Sequence, residues 1–222
     1  MKPLLVLAAF PVVLMGWASC SHSGTGHAAL PDPRAVDKSV PEYKNPFHPS
    51  TYAHFVARKD YRKTYDVYKD DTLLNRQPKK SRKIFVCLDE QRGQYLVDGL
   101  VAMDFPLSSG VKAYPTKTGD YAVISKKEDH TSNLYGKMYD AEGKCINYNA
   151  ESTDPIPEGG RFDGSPMPYW QRLTNAGLGL HVGKVRRHPV SHGCVRLPRN
   201  VAEILYRQTS IGTPVTIQKT PL

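Results

Sequence analysis

The sequence has 222 residues, of which 40% are hydrophobic and 23% are charged, which suits one folded domain and excludes a wholly disordered chain. Its net charge of +9 favours anionic partners, but RNP, zinc-finger and helix-turn-helix motifs are absent, so we expect no nucleic-acid partner. We interpret the basic residues, Arg186 and Arg187 among them, as a solvated surface.

The first twenty residues have the layout of an export signal. Lys2 supplies a positive start, Pro3 to Met15 is almost entirely apolar, and a small Ala-Ser pair precedes Cys20. This ending resembles a bacterial lipobox, which implies lipidation of Cys20; plain secretion is the alternative. We therefore expect an exported, periplasmic protein with a lipoprotein-type signal peptide over 1–20, which contacts the membrane only through its N-terminal lipid.

Three further segments follow the signal. Residues 21–50 contain five prolines among serine, glycine and histidine without an apolar period, which predicts a tether. Residues 51–81 are richer in aromatic side chains, and we expect them to pack on the main domain as an N-terminal extension. That domain is expected to cover residues 82–219.

The main domain starts with strong strand signals. Ile84 to Leu88 is a short apolar run, typical of a strand that is buried on both faces. Asp98-Gly99 lies between the apolar runs 94–97 and 100–103 and predicts a hairpin, because glycine accepts the positive φ of a type I′ turn. Further strands are expected over 105–110 and 121–125.

The second half is less regular until its end. Residues 126–178 are polar and rich in glycine and proline, which is typical of a functional loop or lid. Asn200 and Glu203 have the spacing of a capping box before an apolar stripe, so a helix capped by Asn200 is expected. Val215 to Ile217 is expected to be the last strand. These elements predict a mainly β domain with few helices.

The cysteines narrow the choice of reactive groups. If Cys20 carries lipid, an oxidising compartment would allow Cys87 and Cys145 to pair and leave Cys194 as the odd thiol. Cys87 lies in the first apolar strand, so a small buried thiol is the alternative there. The sequence leaves this choice open.

Cys194 stands in a context that suits a nucleophile. A reactive thiol needs an imidazole to take its proton, and His181 and His192 precede it closely in the chain. Gly193 permits a sharp turn, so the N–H groups of Gly193 and Cys194 are candidate donors to an oxyanion. Zinc binding by His181, His188, His192 and Cys194 is the alternative, but no second ligand pair accompanies them, and we expect no metal.

Residues 191–197, SHGCVRL, with His181 upstream, resemble the signature of the YkuD-type L,D-transpeptidase catalytic domain. The resemblance extends from about Lys83 to Ile217. It includes the runs YPTKTG at 114–119, DHTSNLYG at 129–136 and MPYW at 167–170. It implies a YkuD-like β-sandwich or barrel.

The resemblance also implies roles for single residues. Cys194 corresponds to the nucleophile and His181 to the general base, whose ring we expect a backbone carbonyl near Val182 or Gly183 to orient. Arg196 corresponds to the motif arginine, which holds a substrate carboxylate or braces the loop. The residues that shape the oxyanion pocket and orient the thiol are Ser191, His192 and Gly193. Substrate contact is expected from Tyr169 and Trp170, with a place among the core aromatics as the alternative.

The implied function is acyl transfer at L-to-D centres of peptidoglycan stem peptides through a Cys194 thioester, without a cofactor and with sensitivity to carbapenems. Transfer to an amine gives a crosslink, an exchanged residue or an attached protein. Transfer to water would make the protein an L,D-carboxypeptidase. A non-catalytic protein that binds or anchors the cell wall is the further alternative, and the joint presence of His181 and Cys194 argues against it.

Overall fold

The computed structural model describes residues 30–76 and 81–221. The expected signal peptide, its lipidation site Cys20 and the first part of the expected tether therefore lie outside the described residues. Every helix and strand of the described residues lies in one compact unit that begins at Pro33. None of the described helices is long and apolar enough to cross a membrane.

Strands dominate this unit. In chain order, the elements are α1 (Tyr52–Ala57), β1 (Tyr68–Lys69), α2 (Asp71–Asn75), β2 (Arg82–Cys87), β3 (Arg92–Val97), β4 (Leu100–Pro106), β5 (Gly119–Ala122), β6 (Ser125–Lys127), β7 (Thr131–Tyr139), β8 (Cys145–Glu151), β9 (Arg161–Pro166), β10 (Trp170–Arg172), β11 (Gly179–Val182), β12 (Val195–Leu197), α3 (Arg199–Gln208) and β13 (Pro214–Gln218). The prediction of a mainly β domain with few helices is confirmed. The described strands form open sheets and no closed barrel.

The largest sheet has the order β1-β4-β3-β2-β13-β5, in which only β2 and β13 run parallel. The predicted hairpin joins β3 to β4, and Asp98 and Gly99 both have positive φ, 51° and 79°. The expected strand over 105–110 is wrong. Its first two residues continue β4, and beyond them only Ser108 and Gly110 form isolated bridges.

A four-stranded sheet, in the order β12-β11-β10-β6, packs on the first. One buried apolar cluster joins the two sheets and α3, and it includes Ile84, Phe105, Leu180, Val195, Leu197, Val201 and Leu205. β11 and β12 are parallel neighbours, so the chain must cross over between them. The loop that makes this crossover carries most of the motif identified in the sequence.

A third sheet, in the order β8-β7-β9, occupies most of the segment that was expected to be an irregular loop or lid. Its strands were missed because one is interrupted by register shifts and all are largely exposed, so the alternation of apolar and polar side chains is weak. Gly136 permits the close approach of β9, since a Cβ atom there would lie 2.1 Å from the Asp163 carbonyl oxygen.

The helices begin where local capping allows. Thr51 and Asp70 cap α1 and α2 with their side-chain oxygens. The predicted capping box of α3 is wrong, because Pro198 is its N-cap and makes no side-chain bond. Asn200 consequently lies inside the first turn, and Glu203 pairs with Arg207 instead.

Residues 33–50 of the expected tether make packed contacts. Lys38, Tyr43 and Asn45 donate side-chain hydrogen bonds to backbone carbonyls of α1, and Phe47 is buried. The predicted alternative of a paired Cys87 and Cys145 is wrong, because both thiols are free. Cys87 is buried in β2.

Candidate active site

The parallel pairing of β11 and β12 brings Cys194 and His181 to one face of the sheet. His181 lies opposite Arg196, and Cys194 is two residues before Arg196. Because side chains alternate along a strand, these three side chains share a face, while Leu180 and Val195 point into the core. All three line one cavity of about 570 Å³, a size typical of a small-ligand site.

The wall of this cavity comes from distant parts of the chain. The third sheet contributes Tyr135 and Tyr148, β10 contributes Trp170, and the loop before β7 contributes His130. Trp170 lies between the two imidazoles, with ring centroids 5.0 Å from His130 and 5.9 Å from His181. Aromatic rings therefore form part of a wall that also contains charged side chains, among them Arg172, Lys184 and Arg196.

His181 is 6% exposed, and its Nδ1 lies 2.8 Å from the carbonyl oxygen of Val182. A carbonyl only accepts hydrogen bonds, so Nδ1 carries the proton and Nε2 is the basic nitrogen. Burial lowers the pKa of His181 to about 4, although the Val182 carbonyl opposes that shift. The ring is thus neutral near neutral pH. The expected backbone carbonyl near Val182 or Gly183 is present.

The surroundings of Cys194 favour the protonated thiol. Burial raises the pKa of the thiol, and a backbone hydrogen bond from Gly179 and the charges of Arg196 and Arg172 offset part of that rise. Sγ donates to the carbonyl oxygen of Gly177 at 3.3 Å. The resting pair is accordingly a neutral thiol and a neutral imidazole, rather than a thiolate and an imidazolium.

The turn formed by residues 191–194 is held by its own hydroxyl group and by a neighbouring turn. The Ser191 Oγ donates to the carbonyl oxygen of Cys194 at 2.5 Å and accepts from the N–H of Gly193 at 3.2 Å. Gly193 has φ of 112°, a conformation that a side chain would strain. The Oγ1 of Thr116 donates to the Gly193 carbonyl at 2.6 Å. Of the two predicted oxyanion donors, the Gly193 N–H is already engaged, which leaves the Cys194 N–H as the candidate.

Of the predicted aromatic and imidazole groups, His192 and Trp170 line the cavity and Tyr169 does not. His192 is exposed and stacks on Tyr135, with ring centroids 4.3 Å apart and planes at 16°. Tyr169 is outside the lining of the cavity and packs edge-on against Tyr206 at 5.6 Å. Trp170, by contrast, is both buried and part of the lining.

A comparison of the sequence with known protein families finds a match to one of them. The family model described as the L,D-transpeptidase catalytic domain, YkuD, covers residues 81–217 of the chain. The chain belongs to the YkuD family.

This YkuD chain aligns with only part of the length of the relatives that it matches. Probable L,D-transpeptidase 3 of Mycobacterium tuberculosis is 31% identical over 121 residues, which are 51% of this chain and 38% of that protein. Similar solved structures include LD transpeptidase LdtMt1 in complex with imipenem (21% identity, TM-score 0.48, 62% of this chain and 59% of that chain). They also include the catalytic domain of the E. faecium L,D-transpeptidase (28% identity, TM-score 0.45, 63% and 98%). Since both scores are below 0.5, family membership rests on the family model.

Two contacts near the YkuD site were not predicted from the sequence. Thr116 belongs to the YPTKTG run, and its position in that run was the available signal for its contact with the 191–194 turn. Arg187, expected to be solvated, instead donates to two backbone carbonyls. Within the described residues, no group of three His, Cys, Asp or Glu side chains could hold a metal ion.

Proposed function

We propose that this YkuD chain is an L,D-transpeptidase that acts on peptidoglycan stem peptides, with Cys194 as the nucleophile and His181 as the base. One observation carries the proposal: a thiol and an imidazole with an unprotonated Nε2 share one face of a sheet at a single cavity. Because the imidazole is neutral, it is in the form that accepts a proton. Decay to a non-catalytic wall-binding protein would not be expected to keep this tautomer and this cavity.

The chemistry follows from the neutral pair. The Cys194 thiol turns from the Gly177 carbonyl towards the ring, and its proton passes to His181 Nε2 as Sγ bonds to the carbonyl carbon at the L-to-D centre. The C–N bond then breaks, and the imidazolium gives its proton to the departing D-amino acid. An amine of a second stem attacks the thioester, the C–S bond breaks, and the proton that the amine loses passes through His181 to the sulfur. Proton transfer accompanies attack because neither group is charged beforehand.

Charge around the cavity suits an acidic peptide. Arg196 and Arg172 both line it, and both act electrostatically on Cys194. We propose that Arg196 binds a stem carboxylate and that the Cys194 N–H stabilises the oxyanion. His192, stacked on Tyr135, shapes the cavity wall, and Trp170 contacts substrate more directly than Tyr169.

In the decisive experiment, the purified protein is incubated with a tetrapeptide-bearing muropeptide, and the products are identified by mass. We expect a crosslinked dimer, and an exchanged terminal residue when a free D-amino acid is supplied. Cys194→Ala should abolish both, whereas Cys145→Ala, which removes a free thiol from the third sheet, should leave them unchanged. Tripeptide as the sole product would replace the proposal with L,D-carboxypeptidase activity, and no product at all would reject it.

Inhibition gives an independent test of the nucleophile. LdtMt1 was solved in complex with imipenem, and we propose that imipenem acylates Cys194 of this chain. Intact mass should show one adduct on the wild-type protein and on Cys145→Ala, and none on Cys194→Ala. An adduct that persists in Cys194→Ala would assign the reaction to another group.

We also propose export to the periplasm and anchoring through a lipid on Cys20, with a signal peptide over 1–20, a linking segment over 21–50 and an extension over 51–81 before the catalytic domain at 82–219. Peptidoglycan lies outside the cytoplasm, so the proposed activity requires export. Metabolic labelling with a fatty acid tests the anchor. Label on the wild type that is lost in Cys20→Ala is expected, whereas unlabelled wild-type protein would favour plain secretion.

A further inference from the structure

The crossover loop of residues 183–190 carries the chain from His181 to the 191–194 turn, and Arg187 lies near its middle. Arg187 has φ of 56°, a strained conformation for a residue with a side chain. Its guanidinium donates to two backbone carbonyls from different parts of the chain, Thr64 at 2.9 Å and Glu90 at 3.0 Å. The neighbouring Arg186 is exposed. The loop is therefore held by the Arg187 side chain, in addition to the backbone N–H of Arg186, which donates to Ser108 Oγ at 2.8 Å.

The Thr64 carbonyl that receives Arg187 is itself fixed by a buried network. It also accepts from Arg92 at 3.1 Å, and Arg92 pairs with Asp104 at 2.6 Å, with side chains 1% and 0% exposed. The hydroxyl groups of Tyr52 and Tyr61 donate to the second oxygen of Asp104. These bonds join residues 52–66 to the β3–β4 hairpin and give Arg187 a rigid partner.

The second anchor leads to the 191–194 turn itself. Glu90 is followed by Gln91, which is 4% exposed and bonds Ser109 twice, from Nε2 to Oγ at 2.8 Å and from the Ser109 N–H to Oε1 at 2.9 Å. The Ser109 carbonyl accepts from the N–H groups of Val190 and Ser191. Arg187 and the start of the turn are thus held to the same short segment, Glu90–Gln91.

We infer that Arg187 is a positioning residue, through which the N-terminal segment 52–66 holds the 191–194 turn and the Cys194 thiol in register with His181. This inference rests on the proposed function. Without the arginine, the strained loop relaxes, and the turn loses one of its two connections to Glu90–Gln91. A displacement of the order of 1 Å at a reacting group lowers rates by about a hundredfold.

The test compares Arg187→Ala with Arg186→Ala, which removes the same charge from the adjacent, exposed position. Three measurements are made: kcat and KM for the tetrapeptide exchange, the rate at which iodoacetamide alkylates Cys194 as located by peptide mass, and the temperature of unfolding. We expect Arg187→Ala to lower kcat by about ten- to a hundredfold with KM changed by less than about threefold. The rate at which iodoacetamide alkylates Cys194 in Arg187→Ala should differ from the wild-type rate in parallel with kcat, because the surroundings of the thiol change. Arg187→Lys, which reaches one carbonyl instead of two, should fall between.

Equal kcat and equal alkylation rates in Arg187→Ala and Arg186→Ala would overturn the inference. The inference would also be overturned if the loss of activity in Arg187→Lys were explained wholly by its unfolded fraction. Arg187→Lys is the variant to test if Arg187→Ala does not fold. The alkylation rate separates the positioning role of Arg187 from the proposed transpeptidase function. If the wild type makes no transfer product, the proposed function fails, whereas the alkylation ratio between the two alanine variants still reports whether Arg187 positions the thiol.

Discussion

The buried imidazole of His181 should make the stability of the whole domain depend on pH. In the unfolded chain this histidine has the ordinary pKa of 6.5, and in the folded chain burial lowers the pKa to about 4. The unfolded state therefore binds a proton at a higher pH than the folded state does. Stability is fully present above about pH 6.5 and is lost as the pH falls towards about 4.

The size of this effect follows from the two pKa values. One pKa unit corresponds to about 1.4 kcal/mol, so His181 alone accounts for a loss of about 3 kcal/mol in the free energy of unfolding across that pH range. This is a large part of the stability of a typical domain, about 5–15 kcal/mol. The Val182 carbonyl limits the loss, because its hydrogen bond to Nδ1 is kept when the ring is protonated.

Urea unfolding between about pH 8 and pH 4 measures the effect, with His181→Gln as the variant that cannot gain the proton. The wild type should lose about 3 kcal/mol more than His181→Gln between these limits. His188→Gln, at an exposed position of the crossover loop, should behave as the wild type does. Parallel curves for the wild type and His181→Gln would refute the reasoning, because they would mean that the folded protein accepts the proton without penalty.

Three further outcomes follow from single contacts. Asp104→Asn leaves its arginine partner buried without a countercharge and should cost about 3–5 kcal/mol in urea unfolding, whereas Asp60→Asn, in an exposed pair, should cost under about 1 kcal/mol. Gly193→Ala forces a side chain into a φ of 112° and should lower the imipenem acylation rate at least about tenfold, while Gly143→Ala, at φ of 80° in an open turn far from the cavity, should leave that rate unchanged. The acylation rate of the wild type should fall with acid only near pH 4, because the proposed base, His181, stays neutral above that pH in its folded environment.

Each of these three predictions would be contradicted by a specific result. Equal costs for the two aspartate variants would mean that water reaches the buried pair. A full acylation rate in Gly193→Ala would show that the turn tolerates a different backbone conformation. An acid limb near the ordinary histidine pKa of 6.5 would show that the His181 ring is solvated in the working enzyme.

Part of the fold could be predicted from the conformational preferences of short stretches of sequence. The Asp98-Gly99 turn and the strands on either side of it follow from short-range preferences, and so does the apolar run that became β2. The capping box at Asn200 failed because the chain enters α3 directly from β12, and the helix begins one residue after Pro198. Its residue types were compatible with a cap, but the preceding strand determined where the helix starts.

The sequence by itself determined the family and predicted the reactive groups, because Cys194, Gly193 and His181 occur in a motif that can be recognised without coordinates. Only the tertiary structure decided how these groups meet. The parallel register of β11 and β12 sets the shared face, the third sheet closes the cavity, and Arg187 contacts residues far away in the chain. Such pairings depend on how distant segments pack together. The free energy of that packing cannot be inferred from any short stretch of sequence.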